Sequence, residues 1–201
     1  MTDHFVPSGQ ARVLVADDDP ILREFAAVHL ATPNVEVEVA EDGVVALDML
    51  TNGGFDLALV DLDMPRMDGF ELIARIRSDE VLRYLPIVVV TGREDMVAVD
   101  RAYAEGATSF VVKPLNWRVL SHQLAYVLRN SRAEADLRES LVRAQALELR
   151  KGEVLQASLT AISAAARRIE AGTNDAGVRA GSQDIVRLSD AVRRLHGAPR
   201  D

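Results

Sequence analysis

The chain has 201 residues, 48% of them apolar and 27% charged, which suits one ordinary domain plus a smaller second element. It contains no cysteine, which excludes disulfides and thiolate metal sites, and its longest purely apolar runs, such as Ile87 to Val90, are far too short to span a bilayer. The net charge of −8 is unevenly spread: residues 1–116 hold 21 acidic and 9 basic side chains, and the rest hold 10 acidic and 14 basic.

In chain order, residues 1–10 are short, polar and Pro/Gly-containing, without the apolar region of a signal peptide. They are expected to form a flexible N-terminus, and the chain a soluble cytoplasmic protein. From Ala11 the sequence alternates short apolar strands with amphipathic helix-length segments. The strands read as Arg12–Ala16, Val35–Ala40, Asp56–Val60, Ile87–Thr91 and Ser109–Val112. Three of them are apolar on consecutive positions, as strands buried on both faces are. Alternating strands and helices imply an α/β fold with a five-stranded parallel sheet, doubly wound by helices on both faces. Asp19 before Pro20 reads as an N-cap with proline at the first helical position, and Asp42-Gly43 and Asp68-Gly69 mark two further helix starts.

After Pro114 the pattern changes. Leu120, Leu124, Val127 and Leu128 mark a last helix of this domain, expected to end near residue 130, and no Gly or Pro stops it before Gly152. Residues 131–152 therefore read as a helical linker. Leu141, Leu155, Ile162 and Ile169 fall on one seven-residue track interrupted by Glu148, which suggests a coiled-coil seam weakened near Gly152. A turn is expected over residues 172–177. Beyond it, Ile185, Leu188, Val192 and Leu195 form a narrow apolar stripe, so residues 153–201 read as a helical hairpin. Two helices with narrow stripes bury little between themselves, and a second copy of the chain is the natural complement.

In a doubly wound sheet, functional groups gather beyond the carboxyl ends of the strands. Here those ends carry Asp17 and Asp18 after the first strand, Asp61 after the third, Thr91 after the fourth and Lys113 after the fifth. Singly, each has a plain structural explanation as cap, loop or surface residue. Together they are hard to explain structurally, because three converging carboxylates raise one another's proton affinity. A hard divalent cation such as Mg²⁺ relieves that repulsion, and the net acidity of the first part of the chain suits one while disfavouring nucleic acid. Lys113 would add a point charge for a phosphate oxygen, and Thr91 a hydroxyl donor.

The segments Val13-Leu14-Val15-Ala16-Asp17-Asp18-Asp19-Pro20, Val60-Asp61-Leu62-Asp63-Met64-Pro65-Arg66-Met67-Asp68-Gly69, Val90-Thr91-Gly92 and Phe110-Val111-Val112-Lys113-Pro114 resemble the flavodoxin-like receiver domain of two-component response regulators over residues 11–130. The resemblance implies that Asp61 is phosphorylated by a histidine kinase or phosphotransfer protein. It also implies that Asp18, Asp61 and the Asp63 backbone carbonyl bind Mg²⁺ (or Mn²⁺ in its place), and that Asp17 acts through water. Thr91 and Lys113 would contact the phosphoryl group, Phe110 would move as the switch aromatic, and the Lys113–Pro114 bond would be cis. Asp63 and Arg93 would flank the path of the hydrolytic water, either pairing across it or standing as separate solvated side chains. Asp19 reads better as a helix cap than as a ligand.

The carry-over makes the chain a phosphoacceptor with only self-phosphorylation and self-dephosphorylation chemistry, not an enzyme acting on other substrates. Asp61-Leu62-Asp63 superficially matches the nucleophile motif of haloacid-dehalogenase-type phosphatases, but those place their acidic metal pair late in the chain. The last third faintly resembles the dimerisation hairpin of histidine kinases, without the phosphoacceptor His. Its expected output is a homodimeric helical module that signals to a protein partner. The alternative is a nucleic-acid-binding, antiterminator-like regulator, against which stand the lack of aromatics after Tyr126 and of a dense basic patch. His4, His29, His122 and His196 suggest no ligand cluster.

Overall fold

The computed structural model describes residues 9–92 and 96–197, without the side chains of Met96 and of residues 195–197. The elements run β1 (Ala11–Ala16), α1 (Pro20–Leu30), β2 (Val35–Ala40), α2 (Gly43–Gly53), β3 (Leu57–Asp61), α3 (Gly69–Ser78), a 3-10 turn (Leu82–Tyr84), β4 (Ile87–Thr91), α4 (Met96–Ala104), β5 (Ser109–Val112), α5 (Trp117–Gly172) and α6 (Ala176–Gly197). All strand pairs are parallel, as the alternating pattern implies, and the order is β2-β1-β3-β4-β5, the flavodoxin-like arrangement that the receiver resemblance implies.

The apolar runs fill both faces of this sheet. Leu14, Ala58, Val60, Ile87 and Val89 pack with Ala46 and Leu50 of α2, Leu72, Ile73 and Ile76 of α3, and Ala98 and Ala102 of α4. Val13, Val15, Leu57, Leu59, Val88 and Val90 pack on the other face, with Ala26 and Leu30 of α1 and Leu120, Leu124 and Leu128 of α5. Side chains alternate along a strand, so consecutive apolar residues serve both cores. Because α1 and α2 cover opposite faces, the chain reverses beside β1 and leaves a crevice at the carboxyl ends of β1 and β3.

Helix starts follow the expected chemistry. The Asp19 carboxylate accepts the Ile21 N–H (2.8 Å), Asp42 accepts those of Val44 and Val45 (2.8 and 2.9 Å), and Asp68 accepts that of Glu71 (2.8 Å). The third strand differs from the reading by one residue. Asp56 lies outside it, where its carboxylate accepts the Arg12 N–H at 2.8 Å, and Asp61 is its last residue.

The chain divides into two compact units at Ala135/Asp136, inside α5. Gly152 does not interrupt α5. One interior glycine costs about 1 kcal/mol relative to alanine, too little to break so long a helix. The turn between α5 and α6 is shorter than expected. Asp175 caps α6 by accepting the Gly177 and Val178 N–H groups at 2.8 and 3.2 Å, which draws residues 176 and 177 into the helix.

Within the second unit, Gln183 donates to Glu170 (2.6 Å) and Arg193 to Thr160 (3.1 Å), which fixes an antiparallel hairpin. Among its described side chains the buried ones are Leu159, Ser163 and Ala166 on α5 and Ser182 and Ser189 on α6. Ile162, Ile169, Ile185 and Leu188 stay about half exposed or more. Leu159 and the small residues line the helix contact, while Ile162, Ile169, Ile185 and Leu188 are left outside it. No helix among the described residues is long and apolar enough to cross a membrane.

Candidate functional site

The strand ends bring the acidic residues together. Carboxylate oxygens of Asp17, Asp18 and Asp61 all lie within 4.8 Å of one another. Asp17 and Asp61 are buried and Asp18 is exposed, so the cluster has two anchored members and one open to solvent. Asp17 is held on both oxygens: Oδ1 accepts the Asp19 N–H at 2.9 Å, and Oδ2 accepts from Lys113 Nζ at 2.9 Å. Arg23 of α1 fixes the same turn from behind by donating to the Asp17 carbonyl at 2.7 Å. Asp61 accepts the Leu62 N–H on Oδ1 at 2.9 Å, and Lys113 stands 3.2 Å from its Oδ2. Thr91 is buried at the end of the neighbouring strand, and its carbonyl accepts the Lys113 N–H at 2.9 Å.

Burial pushes the Asp61 carboxyl up to about 6. The charge of Lys113 opposes that rise, the charge of Asp17 adds to it, and the hydrogen bonds from Lys113 and Leu62 also oppose it. A buried carboxyl with that proton affinity at the floor of a crevice, beside two further carboxylates and a lysine, marks a functional site rather than a structural ion pair. The donors are all oxygen, one is open to solvent, and their mutual repulsion is only partly relieved by one lysine. That set fits a hard divalent cation.

The family model described as "Response regulator receiver domain" matches residues 13–125, more than half of the chain. The chain belongs to the response regulator receiver family. Among curated relatives, the receiver chain is 32% identical over 123 residues to a heme response regulator, HssR, of Staphylococcus epidermidis, covering 61% of this chain and 54% of that protein. It is 31% identical over 140 residues to HssR of Staphylococcus aureus, covering 68% and 61%. The chain thus spans little more than half the length of these relatives. Among solved structures, the chemotaxis protein CheY4 of Vibrio cholerae is 33% identical, with a TM-score of 0.57 over 59% of this chain and 99% of that one. A CheY-like receiver domain protein of Methanospirillum hungatei is 27% identical, with a TM-score of 0.59 over 63% and 99%. Receiver domains bind Mg²⁺ at an acidic pocket, and this receiver has the aspartate cluster for one.

The sequence-derived residues Asp17, Asp18, Asp61, Thr91 and Lys113 meet at one sheet edge, as expected of a receiver. Asp19 is a cap, and Lys113–Pro114 is cis. Phe110 is half-buried and meets Tyr103 edge-on, with ring centroids 6.0 Å apart. Asp63 is exposed in the loop after β3, and Arg93 lies outside the described residues. His29, Phe25 and Trp117 stack on one another as a cluster of three rings, and His122 is a solvent-facing helix residue.

The sequence reading missed the residues that hold the site loops. Gly69 is required because a Cβ there would lie 2.3 Å from the Asp61 carbonyl oxygen. Arg66 adopts a left-handed backbone (φ 64°) and ion-pairs with Glu41 at 2.9 Å and with Asp42. The Asp-Gly pair signalled a helix start but not that close approach, and an arginine after proline carries no signal for positive φ.

Proposed function

We propose that this chain is a two-component response regulator whose receiver is phosphorylated on Asp61 in a Mg²⁺-dependent reaction, with a histidine kinase or phosphotransfer protein as donor. The observation that carries this reading is the convergence of Asp17, Asp18 and Asp61 within 4.8 Å, with Lys113 bridging two of them. An Asp61 carboxylate oxygen attacks the donor phosphorus, the donor group leaves with its bonding pair, and an acyl phosphate forms. Asp18 and Asp61 would hold the cation through side-chain oxygens and Asp63 through its carbonyl, with Asp17 acting through water. The cation, when bound, neutralises charge developing on the phosphoryl oxygens. Lys113 turns its ammonium from the two carboxylates to a phosphoryl oxygen, Thr91 donates its hydroxyl to another, and Phe110 moves with Thr91. Water later cleaves the acyl phosphate, so the chain catalyses only its own phosphorylation and dephosphorylation, in the cytoplasm.

The exposed stripe of Ile21, Phe25 and Val28 on α1 supports a docking face for the donor's helices, since α1 begins three residues after Asp17. The half-exposed Ile162, Ile169, Ile185 and Leu188 support a homodimeric hairpin module as the output, read by a protein partner. Acyl-phosphate labelling by a small phosphodonor, with and without Mg²⁺, tests the central claim. Labelling is expected in wild type with Mg²⁺ and lost in Asp61→Asn; undiminished labelling of the variant removes the assignment.

A further inference from the structure

The loop between β3 and α3 carries Asp63, whose carbonyl the proposed reading makes a ligand of the cation. Its backbone is tied down around that residue. Gly69 N–H donates to the Leu62 carbonyl at 3.1 Å, Met67 N–H to that of Pro65 at 2.7 Å, and Gly43 N–H to that of Met67 at 3.2 Å. A Cβ on Gly43 would lie 2.6 Å from the Met67 carbonyl oxygen, so the β2–α2 turn abuts this loop with no space to spare.

The side-chain tie across the same junction is Arg66. Its φ of 64° lies in the left-handed region, which L residues other than Asn, Asp and Gly seldom adopt unless their surroundings hold them there. Its guanidinium meets the Glu41 carboxylate at 2.9 Å and also the Asp42 carboxylate. These two contacts are unequal. Glu41 is mostly exposed, and exposed ion pairs contribute little. The Asp42 side chain is 1% exposed. Its Oδ1 is committed to the Val44 and Val45 N–H groups, and Oδ2, which accepts no hydrogen bond, faces the Arg66 guanidinium as an ion pair. A buried carboxylate with its partner removed is strongly disfavoured, so Asp42 anchors Arg66, and through it the loop, against α2.

We infer that Arg66 is a positioning residue for the cation site: its ion pair with buried Asp42 holds the β3–α3 loop so that the Asp63 carbonyl faces the cation. This rests on the proposed phosphoacceptor reading and adds to it a residue that touches neither cation nor phosphate. The sign of its effect separates positioning from simple charge. Removing a cation from the neighbourhood of an acidic site should by itself tighten Mg²⁺ binding, whereas releasing the loop loosens it.

The experiment is isothermal titration of Mg²⁺ into the full chain as wild type, Arg66→Gly, Arg66→Asn, Arg66→Lys and Glu41→Gln. Gly and Asn both tolerate the left-handed backbone, so at least one variant retains the fold, checked by thermal unfolding in chelator. Arg66→Gly and Arg66→Asn are expected to melt at a lower temperature, since Asp42 loses its partner, yet to remain folded at the titration temperature and to bind Mg²⁺ three- to tenfold more weakly. Arg66→Lys and Glu41→Gln should stay within about twofold of wild type. Unchanged or tighter binding in a folded Gly or Asn variant overturns the role of Arg66 and leaves the phosphoacceptor reading standing. Wild-type protein that takes up no Mg²⁺ overturns both.

Discussion

Lys113 Nζ stands 3.2 Å from Asp61 Oδ2 while it hydrogen-bonds Asp17 Oδ2 at 2.9 Å, so one ammonium holds two buried carboxylates together. Burial works against the charge of Lys113, yet the Asp17 hydrogen bond and the charges of Asp61 and Asp17 hold it above the ordinary lysine value. For Asp61 the balance falls the other way. Desolvation dominates, and its carboxyl rises to about 6 despite the lysine. Among the described residues, one cationic side chain, Lys113, reaches the cluster of three carboxylates, which leaves it under-neutralised and suited to a cation.

That imbalance makes a pH-dependent prediction for the metal-free protein. The folded-state value of Asp61 lies above the ordinary 3.8, so its favourable contribution is fully present below about 3.8 and is lost as pH rises through about 6. Above that pH the ionised carboxyl costs up to about 3 kcal/mol, since each tenfold rise in proton affinity corresponds to about 1.4 kcal/mol. Asp61→Asn should therefore stabilise the chelator-treated protein by about 1–3 kcal/mol at pH 8 and by much less at pH 4.5. Denaturant unfolding at the two pH values measures this. An equal gain at both, or none at pH 8, contradicts the assigned cause.

Asp18 and Asp19 are adjacent acids with separate roles. Asp18 offers an oxygen to the cluster, whereas Asp19 accepts the Ile21 N–H at 2.8 Å at the start of α1. Asp18→Ala should abolish Mg²⁺ binding by calorimetry with little loss of stability. Asp19→Ala should retain most of the binding and lose about 1 kcal/mol of stability, the usual cost of a removed N-cap. Equal loss of Mg²⁺ binding in both variants would make Asp19 a ligand.

The sheet and its site were legible because their signals are local and periodic. Consecutive apolar residues such as Leu57-Ala58-Leu59-Val60 require burial on two faces, and Asp17, Asp18, Asp61, Thr91 and Lys113 fall where strands end. Asp61 closing β3, rather than following it, escaped the pattern, since the alternation of side chains places a strand but not its last hydrogen bond. The clamp of Arg66 on Asp42 was illegible for a different reason. It joins residues from separate loops, and neither Arg nor the preceding Pro signals a positive φ. In the second unit Leu141, Ile162 and Ile169 of the seven-residue track stay exposed. The track could not show that the hairpin closes on Leu159, Ser163, Ala166, Ser182 and Ser189 instead.

Gly69, with Gly152 of α5 as a control in the second unit, tests how far the site loop resists crowding. A Cβ at Gly69 would lie 2.3 Å from the Asp61 carbonyl oxygen and 2.8 Å from Leu62 Cα, both backbone atoms beside the phosphoacceptor. Gly69→Ala should cost about 1–3 kcal/mol, as overpacking does, and weaken Mg²⁺ binding at the same time. Gly152→Ala meets nothing within 4 Å inside α5, and should stabilise by about 1 kcal/mol without touching Mg²⁺ affinity. Thermal unfolding and calorimetry of the two variants give both readouts, and a Gly69→Ala protein with wild-type Mg²⁺ affinity would show that the loop yields.

The last prediction concerns assembly: the chain should be a parallel dimer joined through α5 and α6 of the second unit. Leu137, Leu141 and Leu149 stand bare on α5, and Ile162, Ile169, Ile185 and Leu188 remain about half exposed or more after the hairpin has closed. Burying the exposed half of one such side chain contributes about 1 kcal/mol, so a partner hairpin must cover most of them on both chains to offset the cost of association. Two hairpins side by side make a four-helix bundle, and phosphorylation at Asp61 would act by shifting the shared helices. Light scattering on the full chain should give twice the monomer mass. Ile162→Asp together with Leu188→Asp should return it to a monomer while leaving acyl-phosphate labelling of Asp61 intact, because neither residue belongs to the receiver. A wild-type chain that scatters as a monomer, phosphorylated or not, removes the basis for a dimeric output.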